Sequence, residues 1–246
     1  MIAAVVCVDA NYGIGSKNNL LVHIPEDMKR FKEITSNGSV IVGRKTYESL
    51  PKKPLPDRTN IILTKKAKKK PKLQKDGTIH SNMKYIQAWL STQEVIKENN
   101  GIFVIGGGQI YKELLPFCER IYITKVLHSL DNVDTYFPNI DTMPEWGLST
   151  VGEIKEYNGI QYHFCVYDRV DYEILSVQTH EENPAISEHD MVITVKTFND
   201  VKTIIFNDSE GKENIKVYID DWDYLSVKLN LIVFIDQVQE YCDTHK

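Results

Sequence analysis

Ser39-Val40-Ile41-Val42-Gly43-Arg44-Lys45-Thr46-Tyr47-Glu48-Ser49-Leu50-Pro51 is the stretch on which the fold turns. It starts as a continuous apolar run without alternation, the pattern of a strand covered on both faces of a parallel sheet. At Gly43 the pattern changes, and residues 44–50 read as a short helix that Pro51 ends. The same grammar recurs on either side. Ile2–Val8 is a Val-rich run of the same kind, residues 59–64 form another, and residues 101–105 lead through Gly106-Gly107-Gly108 into a helix over 109–117. Arg120–Val126 and residues 162–169 add two more strands. Strands alternating with helices predict an α/β fold with a mostly parallel central sheet flanked by helices.

The segment Asn19-Leu20-Leu21-Val22-His23-Ile24-Pro25-Glu26-Asp27-Met28-Lys29-Arg30-Phe31-Lys32 predicts an extended chain that turns helical at Pro25. Proline suits the first helical turn, and Glu26 and Asp27 place acid at the positive end of the helix dipole. Helical spacing aligns Asp27 with Phe31 and Ile34 on the apolar stripe beside Met28 and sends Glu26, Lys29, Arg30 and Glu33 to the wet side. An acid on an apolar stripe is either a dipole partner that reaches solvent or a desolvated functional carboxylate.

Hydrophobic residues make up 42% and charged residues 26% of the 246, the composition of a soluble globular protein. Residues 1–170 carry 23 Lys and Arg against 18 Asp and Glu, whereas residues 171–246 carry 6 against 16. That change of sign predicts a boundary near 170. Cys7, Cys118, Cys165 and Cys242 are widely spaced, which suits a reducing compartment and offers no metal site. The opening apolar run is too short for a signal peptide and no run reaches membrane-spanning length, so a cytoplasmic location without membrane attachment is expected. The seven lysines among residues 65–75 lack interleaved aromatics in a chain of net charge −5, so they read as a solvated loop and not as a nucleic-acid surface.

Two strand-to-helix junctions, Gly43-Arg44-Lys45-Thr46 and Gly106-Gly107-Gly108, offer helix N–H groups without a Cβ to block a ligand. Together they point to a phosphorylated dinucleotide, with NADPH favoured over NADH if Arg44 meets a ribose 2′-phosphate. Tight packing is the plainer reason for three glycines. Gly13 and Gly15 do not complete a dinucleotide fingerprint, because Asn18 holds the third place.

Residues 24–32, 40–50, 54–63 and 104–111 resemble the signature blocks of dihydrofolate reductase, in the family's order and spacing. The resemblance covers roughly residues 1–170. It implies NADPH-dependent reduction of 7,8-dihydrofolate to tetrahydrofolate, with hydride at C6 and a proton at N5, in one-carbon metabolism and nucleotide synthesis. It implies that Asp27, supported by the Thr124 hydroxyl, holds the pterin and promotes protonation of N5 through water. Ile2, Ala4, Met28, Phe31, Leu50 and Ile105 would line the substrate pocket, and Arg58 would pair with the glutamate carboxylate. Ala4, Gly43, Arg44, Lys45, Thr46, Leu63, Thr64 and Lys65 would meet NADPH, as would Ile105, Gly106, Gly107, Gly108, Gln109, Ile110 and Tyr111. The loop holding Ile14, Gly15, Asn18, Asn19 and Leu20 would close over the nicotinamide. Leu21-Val22 stands where the family usually has Pro-Trp. The alternatives are a same-fold reductase of a riboflavin-pathway intermediate and a reductase-like domain kept for assembly.

Residues 171–246 lie outside the resemblance and resemble no thymidylate synthase. They predict a linker over 171–190 and an acidic module over 191–246, with strands over 191–198, 201–207 and 214–219 and a helix over 222–245. The module is expected to dock on the reductase, or to mediate self-association or partner binding.

Overall fold

The structure, a computed structural model, describes residues 1–67, 70–92, 101–143, 145–170, 172–179, 183–186, 188, 190–197, 201–207 and 216–219. In chain order they form β1 (Ile2–Val8), β2 (Gly13–Ser16), β3 (Asn19–Leu20), α1 (Pro25–Thr35), β4 (Ser39–Gly43), α2 (Arg44–Ser49) and β5 (Thr59–Leu63). Next come β6 (Lys72–Leu73), β7 (Ile79–Ser81), α3 (Met83–Leu90), β8 (Ile102–Val104), α4 (Gly108–Leu114) and β9 (Arg120–Val126). The chain continues through β10 (Thr135–Tyr136), β11 (Trp146–Val151), β12 (Lys155–Tyr157) and β13 (Ile160–Arg169). Last are β14 (Tyr172–Thr179), β15 (Asp190–Thr197), β16 (Val201–Asn207) and β17 (Lys216–Ile219). Two compact units result: Met1–Asn139 with Thr150–Tyr167, and Ile140–Ser149 with Asp168–Lys246.

In the first unit the strand order runs β13-β9-β1-β8-β4-β5-β7-β6. β1 pairs in parallel with β8 and β9, and β4 in parallel with β8 and β5. The short β6 is antiparallel to β7. Parallel strands put the carboxyl ends of β1, β4 and β8 on one edge, where open α/β sheets bind ligands. The runs without alternation are buried throughout β8 and over most of β1 and β4, as strands covered on both faces must be. Ala3, Val40, Val42, Ile62, Phe103 and Ile105 form one core cluster, on which Phe31 and Ile34 of α1 pack. Each large apolar side chain so buried contributes about 1.5–3 kcal/mol.

α1 begins at Pro25 without a side-chain cap, its first turn carrying Glu26 and Asp27 as the sequence implies. Two expectations need correction. Residues 9–19, read as loop, contain the β2–β3 hairpin, whose two-residue turn sets Lys17 and Asn18 at φ 49° and 64°. Asparagine tolerates that left-handed region, so the Lys-Asn pair makes the turn. Residues 65–75, read as a solvated lysine loop, contain β6, which pairs with the short β7 beyond them. The helix expected over 83–99 is described as α3, capped where the Asn82 side chain accepts from the Tyr85 N–H, and its continuation over 93–99 lies outside the described residues.

In the second unit β14-β15-β16-β17 is an antiparallel meander. The linker expected over 171–190 is corrected here: Tyr172–Thr179 is a strand that pairs with β15 from Tyr172↔Thr197 to Thr179↔Met191. Between them the Asn183 Oδ1 accepts from the Ala185 N–H. Strong β formers in 172–179 (Tyr, Ile, Val, Thr) carried that signal. The helix expected over 222–245 lies outside the described residues. Among the described residues no helix is long and apolar enough to cross a membrane.

Candidate active site

Asp27 is only 9% exposed, so it is the desolvated carboxylate and not the solvent-reaching one. α1 brings it to β9, where the Thr124 hydroxyl donates to its Oδ1 at 2.6 Å. Burial pushes the Asp27 carboxyl above the usual carboxylate range; the Thr124 bond and the charges of Arg30 and His23 oppose this, and burial prevails. Cys7, which stands opposite Thr124 in the β1–β9 register, has its thiol pushed well up by burial and by the Asp27 charge. It is a neutral wall. Val22 packs with Cys7 and Phe164 against the cluster of Ile24, Val126 and Tyr162.

Glu26 takes the wet side as expected, where it accepts from Lys155 and, at 2.8 Å, from the Tyr162 hydroxyl. Arg30 does not. It is half-buried, with its guanidinium 4.5 Å from the Phe164 ring centre. The aromatic residues of β9 and β13 give it a surface to stack on, which helical periodicity alone does not reveal.

Arg58 sits on a loop that the Asn60 side chain clamps, accepting from the Leu55 N–H and donating to the carbonyls of Leu55 and Arg58. Its Nε donates to the Pro56 carbonyl at 2.8 Å and its Nη1 to Thr35 Oγ1 at 2.9 Å. The guanidinium lies 5.9 Å from the Phe31 ring centre. α1 and the loop thus set Asp27, Phe31 and Arg58 along one wall. Strand alternation adds Ala3 and Val5 of β1 to the Phe31 cluster; Ile2 and Ala4, expected there, alternate to the other face. Ile105 belongs to the cluster, its N–H donating to the Ile41 carbonyl. Leu50 and Met28 are half-buried.

The two glycine junctions meet. The Gly43 N–H donates to the Gly106 carbonyl at 2.7 Å. Gly106 sits at φ +106°, and a Cβ on Gly107 would lie 2.9 Å from Thr46 Oγ1. Glycine is needed there, because the two junctions pack too closely for a side chain beside the Thr46 hydroxyl. Arg44 is engaged, its Nη1 donating to both oxygens of Glu48 at 2.8 and 2.7 Å. Thr64 and Lys65 follow the end of β5, and Lys45 is exposed beside Arg44. Tyr111, expected at the cofactor, spends its hydroxyl on the Val5 carbonyl at 2.7 Å and packs its ring edge-on against Phe137.

Two residues that organise the 9–20 segment were missed in the sequence. Asp9 is buried and accepts from the N–H groups of Asn11, Gly13 and Leu130. Asp134 accepts from the Lys17 N–H at 2.7 Å and its own N–H donates to the Gly15 carbonyl. Asp9-x-Asn11-x-Gly13 carried an Asx-turn signal; Asp134 carried none, because its partners are distant in sequence. Among the described residues no group of His, Cys, Asp and Glu could hold a metal ion.

The family model for dihydrofolate reductase matches residues 1–169. A dihydrofolate reductase of Bacillus subtilis is 38% identical over 172 residues, covering 69% of this chain and 95% of the relative. One from Buchnera aphidicola is 36% identical, covering 68% of this chain and 99% of the relative. The solved structure of Enterococcus faecalis dihydrofolate reductase complexed with NADP(H) and RAB-propyl superposes with a TM-score of 0.58 at 32% identity, over 70% of this chain and 97% of that one.

Proposed function

The chain belongs to the dihydrofolate reductase family, and from that premise we propose that Asp27 orients the pterin of 7,8-dihydrofolate and directs a proton to N5 while NADPH reduces C6. The reaction is the NADPH-dependent formation of 5,6,7,8-tetrahydrofolate for one-carbon metabolism and nucleotide synthesis. The observation that carries the residue assignment is the buried Asp27–Thr124 pair at the carboxyl edge of the sheet.

NADPH, when bound, supplies the hydride. The residues fit it: Thr46 Oγ1 faces space that only a glycine at 107 leaves open, with the first turns of α2 and α4 beside it. Thr46 and Gly106–Gly108 would hold the pyrophosphate, and Arg44, Thr64 and Lys65 the adenosine end. Thr124 fixes the rotation of the Asp27 carboxylate. The anion then holds the pterin amino group and ring N–H, and a water bound there carries the proton onward. Phe31, Ile105, Ala3 and Val5 exclude bulk water, and Arg58 fixes the glutamate tail. Alignment is the protein's largest contribution. Asp9 and Asp134 hold the β2–β3 hairpin from either end, so it can move as a unit and bring Ile14, Gly15 and Leu20 over the nicotinamide.

Arg44 must leave Glu48 to read a 2′-phosphate. An exposed i,i+4 ion pair is worth only about 0.3–0.5 kcal/mol, against about 1.5–3 for a charge-assisted hydrogen bond, so phosphate wins. Arg44→Ala is expected to raise the KM for NADPH roughly tenfold and leave that for NADH unchanged, as about 1.4 kcal/mol implies. Unaltered selectivity in steady-state assays would transfer the role to Lys65.

The second unit serves self-association in this reading. Among the described residues β14 and β17 end its sheet, and an open strand edge is a template for pairing. Sedimentation velocity should give a dimer for the full chain and a monomer for residues 1–170; equal states would end the proposal. Among the described residues Cys7, Cys118 and Cys165 form no disulfide, which suits work in the reducing cytoplasm.

A further inference from the structure

Arg30 stands three residues beyond Asp27 on α1, a spacing that makes the two helix-surface neighbours. Its guanidinium is enclosed. Cζ lies 4.5 Å from the Phe164 ring centre and 5.8 Å from that of Tyr122, and Nη1 donates to the Ile123 carbonyl at 3.4 Å. Ile123 directly precedes Thr124, the residue that donates to Asp27. One short piece of β9 therefore holds both the carboxylate and the cation. Arginine suits this place because its planar, weakly hydrated group stacks on rings where an ammonium would demand water.

The other groups that face Asp27 do not supply this charge. Cys7 of β1, Tyr111 of α4 and Tyr162 of β13 are neutral, since burial pushes each of them up. Thr124 of β9 gives a hydrogen bond without charge. His23 is exposed, where water and salt screen it. Glu26 accepts from Lys155 and Tyr162, so it does not draw on Arg30. Burial by itself drives a carboxylate toward its neutral form, which cannot hold the pterin as an anion. A fixed cation within one helical turn acts against this through a medium of low dielectric.

We propose that Arg30 is a positioning residue of the active site: a cation caged by Phe164, Tyr122 and the Ile123 carbonyl that keeps the Asp27 carboxylate charged within an apolar wall. The proposal rests on the reading of Asp27 as the proton-handling group, and it adds a residue that the helical pattern had assigned to solvent.

The test is carboxyl-carbon NMR of the full chain with labelled aspartate, in which the Asp27 signal is the one lost in Asp27→Asn. Arg30→Met should raise the Asp27 titration midpoint by about one pH unit. Arg30→Lys, which keeps the charge but stacks poorly, should restore only part of the wild-type value, and the pH profile of kcat should move with the midpoint. An unmoved midpoint in Arg30→Met would overturn the proposal and reduce Arg30 to a packing brace. Should that variant fold poorly, Phe164→Leu, which opens the cage and keeps the charge, must raise the midpoint by a smaller amount; no rise would overturn it equally. A midpoint that moves without the rate profile supports the hold on the Asp27 charge and overturns Asp27 as the proton handler, so the two failures are distinct.

Discussion

Asp27→Asn is expected to lower kcat/KM for dihydrofolate by about 10²–10⁴ at neutral pH, the span general acid–base groups contribute. Asparagine keeps the shape and can still accept from Thr124, so the loss measures charge and proton handling and not packing. The deficit should shrink in acid, where solvent protonates N5 directly. Stability should move the other way. The folded-state pKa of Asp27 lies above the usual value of about 3.9, so between the two the folded protein binds more protons than the unfolded chain. Stability therefore falls as pH rises through that window and stays lowered above it. Asp27→Asn removes this term, and its Tm at neutral pH should match or exceed the wild-type value. A variant that is equally active, or inactive only because it unfolds, would remove the assigned role.

Arg58→Ala carries the second largest effect. The loop around Asn60 and the Thr35 hydroxyl hold the guanidinium before any substrate arrives, using Nε and Nη1. Thr35 in turn donates to the Phe31 carbonyl, which links the arginine to the helix of Asp27. A preorganised guanidinium loses little entropy when it pairs with a carboxylate. Losing one partner of a hydrogen-bonded charge pair costs about 2–5 kcal/mol, so the KM for dihydrofolate should rise roughly 10²-fold with kcat much less affected. A pterin substrate without the glutamate tail should show no difference between wild type and variant. Equal KM values with dihydrofolate would contradict the assignment and reopen the reading as a reductase of substrates without a tail.

The sheet was legible because buried parallel strands advertise themselves: Ile2–Val8 and Arg120–Val126 have the bounds their apolar runs imply. α1 was legible from Pro25 and its acids. Short strands such as Lys72–Leu73 and Thr135–Tyr136 were not, since two residues form no pattern and depend on distant partners. The site followed the same division. Asp27 and Arg58 sit in motif blocks and Thr124 on the strand read over 120–126, and the structure brings Asp27 to Thr124 and Arg58 beside Phe31. Arg30 misled because helical periodicity sorts residues by face and ignores what covers that face. Ile2 and Ala4 lie one step of strand alternation from Ala3 and Val5, the two β1 residues of the Phe31 cluster.

Isotope transfer tests the central claim most directly. The purified full chain, given dihydrofolate and NADPH deuterated at the transferring position of nicotinamide C4, is expected to yield tetrahydrofolate with deuterium at C6 and none at N5 or C7. No turnover, or deuterium at another carbon, would contradict the account.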